Sequence, residues 1–467
     1  MKSADGRTPP RETGYGKRDR RQDRRQDRRQ VRREYAGQIT VLAVPIIIEN
    51  ILQTLLGTVD TYFAGQIHDN AIAAIGVTSL IVNIYIAFYT AVSVGTSSVA
   101  ARYMGRGDRK AAEDAAQQSV VMGAALGIVV GAVSLGFCVP ILRLSGAEEE
   151  VLAFAVPYYL VVAVPSVLIC LSLVLSACLR ASKDTKTPMY VTGFSNLVNV
   201  ALNCLFIRLG FGITGLALAT TVSRLLGVCL LAAKLCRRDA TLRLSIKGFH
   251  FNRDSARTVA AIGGPAGMEK LIMRTGQLIY NGMIISLGTG AYVAHNVAGT
   301  IENFAYIPDF GFGMAAAVMT GICLGEQDPL KAREITALTT KMVMGLMVIF
   351  GVVFFAFAPQ LVSCFTQTPE VRRMAASVLR LIAFFQPMGA VTQIMGSSLQ
   401  GAGDTKFPMY ATLFGIWGIR IGLGYTLAAG LGLGLFGVWC AYAMDITLRG
   451  ILLTIRFQRG KWESIQI

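Results

Sequence analysis

The chain has 467 residues, a net charge of +16, 53% hydrophobic residues, 15% charged residues and a mean hydropathy of +0.52. Soluble domains carry about 25% charged residues, so a soluble globular protein is excluded. The charge does not indicate a nucleic-acid partner, because it gathers between Lys17 and Arg33 and in short connections between apolar runs.

In chain order, residues 1–37 form a basic tail, expected to be disordered and solvated on the cytoplasmic side, within reach of anionic membrane lipid. Twelve apolar spans follow, at roughly 38–66, 71–101, 113–143, 148–180, 187–208, 213–236, 258–287, 291–322, 331–364, 370–400, 407–429 and 434–456. Crossing a hydrocarbon core of about 30 Å takes about 20 residues. The spans divide into an N-lobe (38–236), an inter-lobe linker (237–257), a C-lobe (258–456) and a C-terminal tail (457–467). Lys and Arg recur at every second connection, as in Arg102–Lys110, Arg180–Lys186 and Lys234–Arg238, whereas "SGAEEE" (Ser145–Glu150) is acidic. Arg372 and Arg373 are the exception. Basic residues are retained inside, so both termini are expected in the cytoplasm.

The chain repeats itself. "LRASKDTKTPMY" (Leu179–Tyr190) and "LQGAGDTKFPMY" (Leu399–Tyr410) lie 404 − 184 = 220 positions apart, measured between Asp184 and Asp404. The same offset relates Pro45 to Pro265, Glu49 to Glu269, Gly105 to Gly325 and Asp108 to Asp328. Six spans return the chain to its starting side. The fold expected is therefore all-α and polytopic, with two six-helix lobes related by a pseudo-two-fold axis along the membrane normal. Transporters of this kind rock two lobes about a central site. "GFGITG" (Gly210–Gly215) and "GLGLFG" (Gly432–Gly437) fit a dinucleotide fingerprint, but apolar spans flank both, so they read as tight turns. No nucleophile–base set appears, the nine cysteines form no CxxC pair and there are three histidines. No enzyme, metal centre or cofactor is expected.

Ionisable groups inside spans are costly and face a cavity or a partner. Span 1 places Glu49, Gln53 and Asp60 on one helical face, and span 5 does the same with Asn196, Asn199 and Asn203. A carboxylate opposite an amide ladder can hold a proton or Na⁺. Alternatively, the amides only bond across helices, at about 0.6–2 kcal/mol each. In the second half, Glu269, Arg274, Gln277, Tyr280 and Asn281 fall in span 7, and His295, Glu302 and Asp309 in span 8. Glu49, Gln53, Glu269, Arg274, Tyr280, Asn281, His295, Glu302 and Asp309 are the candidate cavity residues. Arg274 is expected to pair with Glu302, and Arg420 with Asp445.

At these residues the chain resembles the multidrug and toxic compound extrusion (MATE) family of secondary transporters. The resemblance is carried by "VPIIIENILQTLLGTVDTYFAGQ", "RYMGRGDRKAAE" and "LRASKDTKTPMY" leading into "NLVNVALNCLFI", and runs from about Gln38 to Trp462. It implies a V-shaped cavity and antiport of small organic compounds, often cationic and amphipathic, against H⁺ or Na⁺. The setting implied is a bacterial inner membrane, with the protein as a monomer. It also implies a cation site at Asp60, Asn199 and Asn203, with Thr221 as a fourth member. The second-lobe Na⁺ site of some members is not matched: the deep span 7 position falls near Arg274, and span 10 has no Asp or Glu after Glu370. A lipid-linked saccharide flippase is the nearest rival, and would need a more cationic cavity.

Overall fold

The computed structural model describes residues 14–244 and 250–465, with side chains from residue 30 onward. The described residues are helical apart from their connections. The N-lobe comprises α1 (Gly14–Gly65), α2 (Asp69–Gly105), α3 (Arg109–Gly136), α4 (Cys138–Leu144), α5 (Glu149–Ala163), α6 (Val167–Ala181), α7 (Lys186–Arg208) and α8 (Gly212–Cys236). The C-lobe comprises α9 (Arg253–Ser286), α10 (Thr289–Gly325), α11 (Pro329–Ser363), α12 (Pro369–Ala383), α13 (Gln386–Gly401), α14 (Lys406–Leu413) and α15 (Gly434–Gln458). After α14 the chain continues as two π-helical stretches, Phe414–Leu423 and Thr426–Gly430.

Among the described residues, nine helices are long and apolar enough to cross a membrane. Two bent pairs, α5 with α6 (42°) and α12 with α13 (57°), raise the number to eleven. The twelfth is α9, whose hydropathy is diluted by Arg257, Glu269, Lys270 and Arg274. The spans read as 148–180 and 370–400 are thus each broken in the middle. Pro165 sits in the first break and Pro387 in the first turn after the second. Proline lacks the amide a helix interior needs.

The basic tail departs from expectation. Residues 14–37 are helical and continuous with span 1. Arg and Gln, which dominate there, are good helix formers, and the chain need not break before the membrane. Residues 1–13 lie outside the described part. At the other end, Trp462 is fully buried, stacks on Phe457 at 4.7 Å and donates its indole N–H to the Phe457 carbonyl at 2.7 Å. The segment after α15 is therefore packed rather than a free tail.

The repeat is visible in the turns. Gly210 and Gly212 both have positive φ, as do Gly432 and Gly434 at the matching hairpin. Lys183 takes a left-handed φ of 65°, where the second copy has Gly403 at 89°. The repeated Asp residues diverge. Asp184 accepts the Thr187 amide (3.0 Å) and hydroxyl (2.6 Å) at the start of α7, whereas Asp404 receives Arg456 Nε at 2.7 Å from α15.

The lobes meet where α2 packs along α9 and α10, and α1 along α10. Gly105 and Gly325, repeat mates, face each other: a Cβ on Gly105 would lie 3.0 Å from the Gly325 Cα. Ser98 donates to the Gln400 carbonyl at 2.8 Å across the same seam. The lobes are thus closed at the end bearing the basic connections. Residues Ile39, Leu42 and Ala43 of α1 are buried with Ala315, Met319 and Trp462 of the other half, so α1 begins against the C-lobe before joining its own.

Candidate functional site

Two polar centres lie within the lobes, and a cavity lies between them. In the N-lobe, α1, α7 and α8 converge on Asp60, which is 4% exposed. Asn203 Nδ2 donates to Asp60 Oδ1 at 3.0 Å and the Thr220 hydroxyl donates to Oδ2 at 2.9 Å. Asn203 Nδ2 also reaches Asn199 Oδ1 at 3.0 Å, and Asn199 Nδ2 reaches Thr220 Oγ1 at 3.3 Å. The i, i+4 spacing of Asn199 and Asn203 puts both amides on the face of α7 that meets α1. Asn203 Oδ1 is buried without a partner. Among the described residues no cation lies within ion-pairing distance of Asp60, although Arg224 is near enough to feel its charge.

The fourth member of this cage is Thr220, not Thr221. Thr221 lies about 100° further round α8 and donates instead to the Val161 carbonyl at 2.8 Å, towards α5. Asn196 also leaves the cage and donates to the Leu52 carbonyl of α1 at 2.6 Å.

The C-lobe centre is built differently. Asp445 on α15 is fully buried and held by Arg420 (2.6 Å) and Arg449 (2.7 Å). Arg449 sits one turn on from Asp445. Arg420 comes from the π-helical stretch, beside Gly415, where an added Cβ would lie 2.8 Å from Arg449 Cδ. The Arg420 guanidinium lies 4.1 Å from the Tyr442 ring centre, and the Tyr442 hydroxyl donates to Glu302 Oε1 at 2.9 Å. The expected Arg420–Asp445 pair is present; the expected Arg274–Glu302 pair is not. Arg274 is exposed on α9 and donates to Gln277 Oε1 at 3.1 Å, leaving Glu302 to Tyr442.

Between the lobes lies a cavity of about 740 Å³. Glu49, Gln53, Glu269, Arg274, Glu302 and Asp309 line it. Tyr280, Asn281 and His295 do not. Tyr280 belongs to the C-lobe core, and the His295 ring is set edge-on to Tyr280 and Trp439. Tyr280 and His295 thus sit on faces of α9 and α10 turned into the lobe.

Sequence reasoning missed Arg180 and Gln400. Arg180 Nη1 meets Glu49 Oε2 at 3.3 Å, both residues being buried, and Gln400 Nε2 meets Glu269 Oε2 at 2.8 Å. All four obey the 220-residue offset, so the repeat carried the signal. In the second copy Thr412 adds a hydroxyl at 3.0 Å. The Asp60 cage itself is absent from the cavity wall. Helix α1 connects the two, carrying Glu49 and Gln53 at the wall and Asp60 in the cage.

The MatE family model matches residues 45–205 and 265–426, two stretches that begin 220 residues apart. The chain is 29% identical to "Probable multidrug resistance protein NorM" of Thermotoga maritima, over 91% of this chain and 92% of that one. It is 28% identical to "Uncharacterized transporter YisQ" of Bacillus subtilis, over 90% of this chain and 93% of that one. Among solved structures, one described as MATE in the bent conformation superposes with a TM-score of 0.86 at 24% identity, covering 91% of this chain and 95% of that one. A MOP superfamily transporter from Pyrococcus furiosus, described as having a binding pocket of reversed polarity, gives 0.85 at 24% identity, covering 90% and 95%. At that identity both show a shared fold.

Proposed function

The chain belongs to the MATE family of multi-pass membrane transporters, and we propose that it is a secondary antiporter exporting organic, cationic or amphipathic compounds in exchange for H⁺ or Na⁺. The observation that carries this reading is Asp60. Burying a carboxylate with no cation in contact costs several kcal/mol, and neutral amides, a hydroxyl and the more distant Arg224 offset only part of that. A cation arriving at the cage removes the imbalance. A proton on Asp60 does so, as does Na⁺ among the oxygens of Asp60, Asn199, Asn203 and Thr220. Asp445, bound by two arginines, needs no such ion. The N-lobe carboxylate is thus built for a coupling cation, whereas the C-lobe aspartate on α15 is held by arginines of its own lobe.

In this reading, coupling runs through α1. Its first buried residues pack on the C-lobe, its middle lines the cavity and its far end holds Asp60. A cation in the cage changes what holds α1 to α7 and α8, and so biases the two arrangements of the lobes; a ligand shifts such an equilibrium only by its differential affinity. With the basic connections facing the cytoplasm, the arrangement described above is open outward.

A flippase for a pyrophosphate-linked lipid needs cations free in the cavity. Arg180, Arg420 and Arg449 are each held by Glu49 or Asp445, which leaves Lys270 and Arg274 on the wall. The test is transport in proteoliposomes with pH and Na⁺ gradients imposed separately. Uphill movement of an organic cation under one of them is the expected result. Movement of a lipid-linked saccharide analogue, with no response to either gradient, would favour the rival.

A further inference from the structure

A second hollow, of about 440 Å³, opens at the end of the C-lobe that bears the basic connections, where the repeated turn leads into α14. It shares no lining residue with the central cavity. The two copies of that turn are finished differently. In the N-lobe, Asp184 accepts the Thr187 amide and hydroxyl and so caps the start of α7. In the C-lobe, Phe407 stands where the first copy has Thr187, and Asp404 is turned to Arg456 at 2.7 Å. No side chain among the described residues caps α14, so the amides of Lys406 and Phe407 lack an acceptor there. Pro408, next in line, has no amide to satisfy.

Unused donors gather around this helix start. Thr405 is 1% exposed and lines the hollow, yet its hydroxyl has no hydrogen bond among the described residues. Buried polar groups are nearly always paired, and an exception calls for an explanation. Lys406 also lines the hollow, is exposed and has no ion pair among the described residues. Arg456 commits Nε to Asp404 and lays its guanidinium 5.2 Å from the Phe407 ring centre. Both of its terminal nitrogens are left without a partner among the described residues. Two cations, Lys406 and Arg456, against one acid, Asp404, give the wall a net charge of +1. Its remaining surface is largely apolar, with Ile465 and the Phe407 ring on the wall and an exposed Tyr410 beside them.

The ligand that suits this wall is a singly charged anion with several acceptor oxygens and an apolar body. Free amides at a helix start receive phosphate oxygens, and a guanidinium adds charge-assisted bonds to them. Because α14 begins a span, the hollow lies at the level of lipid headgroups, and the cytoplasmic leaflet is the negatively charged one. We propose that the hollow binds the phosphodiester of an anionic glycerophospholipid. The amides of Lys406 and Phe407, the Thr405 hydroxyl and the terminal nitrogens of Arg456 donate to the phosphate oxygens. The Lys406 ammonium adds charge, and the apolar part of the lipid lies along Phe407 and Tyr410. The lipid thereby supplies from outside the cap that Asp184 gives α7 from within. This site is separate from the transport cavity and from the Asp60 cage, and stands whatever compound the chain exports.

The test uses the full chain in detergent, titrated with dioctanoyl-phosphatidylglycerol, dioctanoyl-phosphatidylethanolamine or inorganic phosphate, with bound lipids counted by native mass spectrometry. The wild type should bind one phosphatidylglycerol more tightly than any further copies. It should also bind it more tightly than phosphatidylethanolamine, whose ammonium cancels the charge of its phosphate. Thr405→Val and Lys406→Gln should each weaken that first site by about tenfold, the effect of losing one hydrogen bond to a charged group, and Lys406→Arg should retain it. Inorganic phosphate in excess should not displace the lipid. A first site of wild-type affinity in both variants would overturn the proposal, and so would equal affinity for the two lipids. Displacement by phosphate would overturn the lipid assignment and give the hollow to a soluble anion. Should Thr405→Val not fold, Lys406→Gln decides, because that side chain is exposed: unchanged affinity there overturns the proposal.

Discussion

The buried pair of Glu49 and Arg180 allows the repeat to be tested against itself. The two groups lie 3.3 Å apart and are each at most 5% exposed. At an effective dielectric of about 20, unit charges at that separation attract by about 5 kcal/mol. Removing one partner strands the other, at a cost of about 3–5 kcal/mol. Arg180→Ala should therefore lower the apparent melting temperature in detergent markedly, as followed by circular dichroism. Arg180→Gln should be milder, because Gln400 already serves Glu269 in this way at 2.8 Å. The double variant Glu49→Gln/Arg180→Gln removes both charges and should melt close to wild type, giving a coupling of at least about 2 kcal/mol in the cycle. Additive losses, or an Arg180→Ala protein that melts like wild type, would refute the argument.

Three further outcomes follow from the same geometry. Thr220→Val should impair uphill export by removing a hydroxyl from Asp60, whereas Thr221→Val, whose hydroxyl donates to the Val161 carbonyl, should leave it within about twofold, the size of a change of up to 0.5 kcal/mol. Gly105→Leu should insert normally yet abolish transport, because the seam at Gly325 has no room for a side chain; wild-type export by that variant would remove the seam from the gating account. A cysteine placed at Ser145 should react with an impermeant thiol reagent from outside, and one at Lys183 should not; the reverse pattern would invert the orientation assumed for the basic connections.

Much of the architecture was legible because its causes are local or repeated. Hydropathy marks the spans, and an offset of 220 residues pairs Gly105 with Gly325 well before the two are seen to touch. Proline marks the breaks between α5 and α6 and between α12 and α13, although an apolar count runs straight through them. Side-chain partners were less legible. Neighbouring helix positions such as Thr220 and Thr221 differ by a rotation that one residue of uncertainty erases. The Arg274–Glu302 pairing failed for a related reason: adjacency of spans does not fix which face of α9 meets α10. The π-helical stretch around Arg420 has no periodic signature, yet it delivers the arginine to Asp445.

Asp60 tests the account most directly. Asp60→Asn keeps the shape and polarity of the cage and removes its charge. In proteoliposomes loaded with an organic cation, wild type should drive that cation uphill under an imposed pH or Na⁺ gradient. Asp60→Asn should still exchange it downhill at a measurable rate but fail to concentrate it under either gradient. Uphill accumulation by Asp60→Asn at the wild-type rate would contradict the claim that this carboxylate couples the ion to the export.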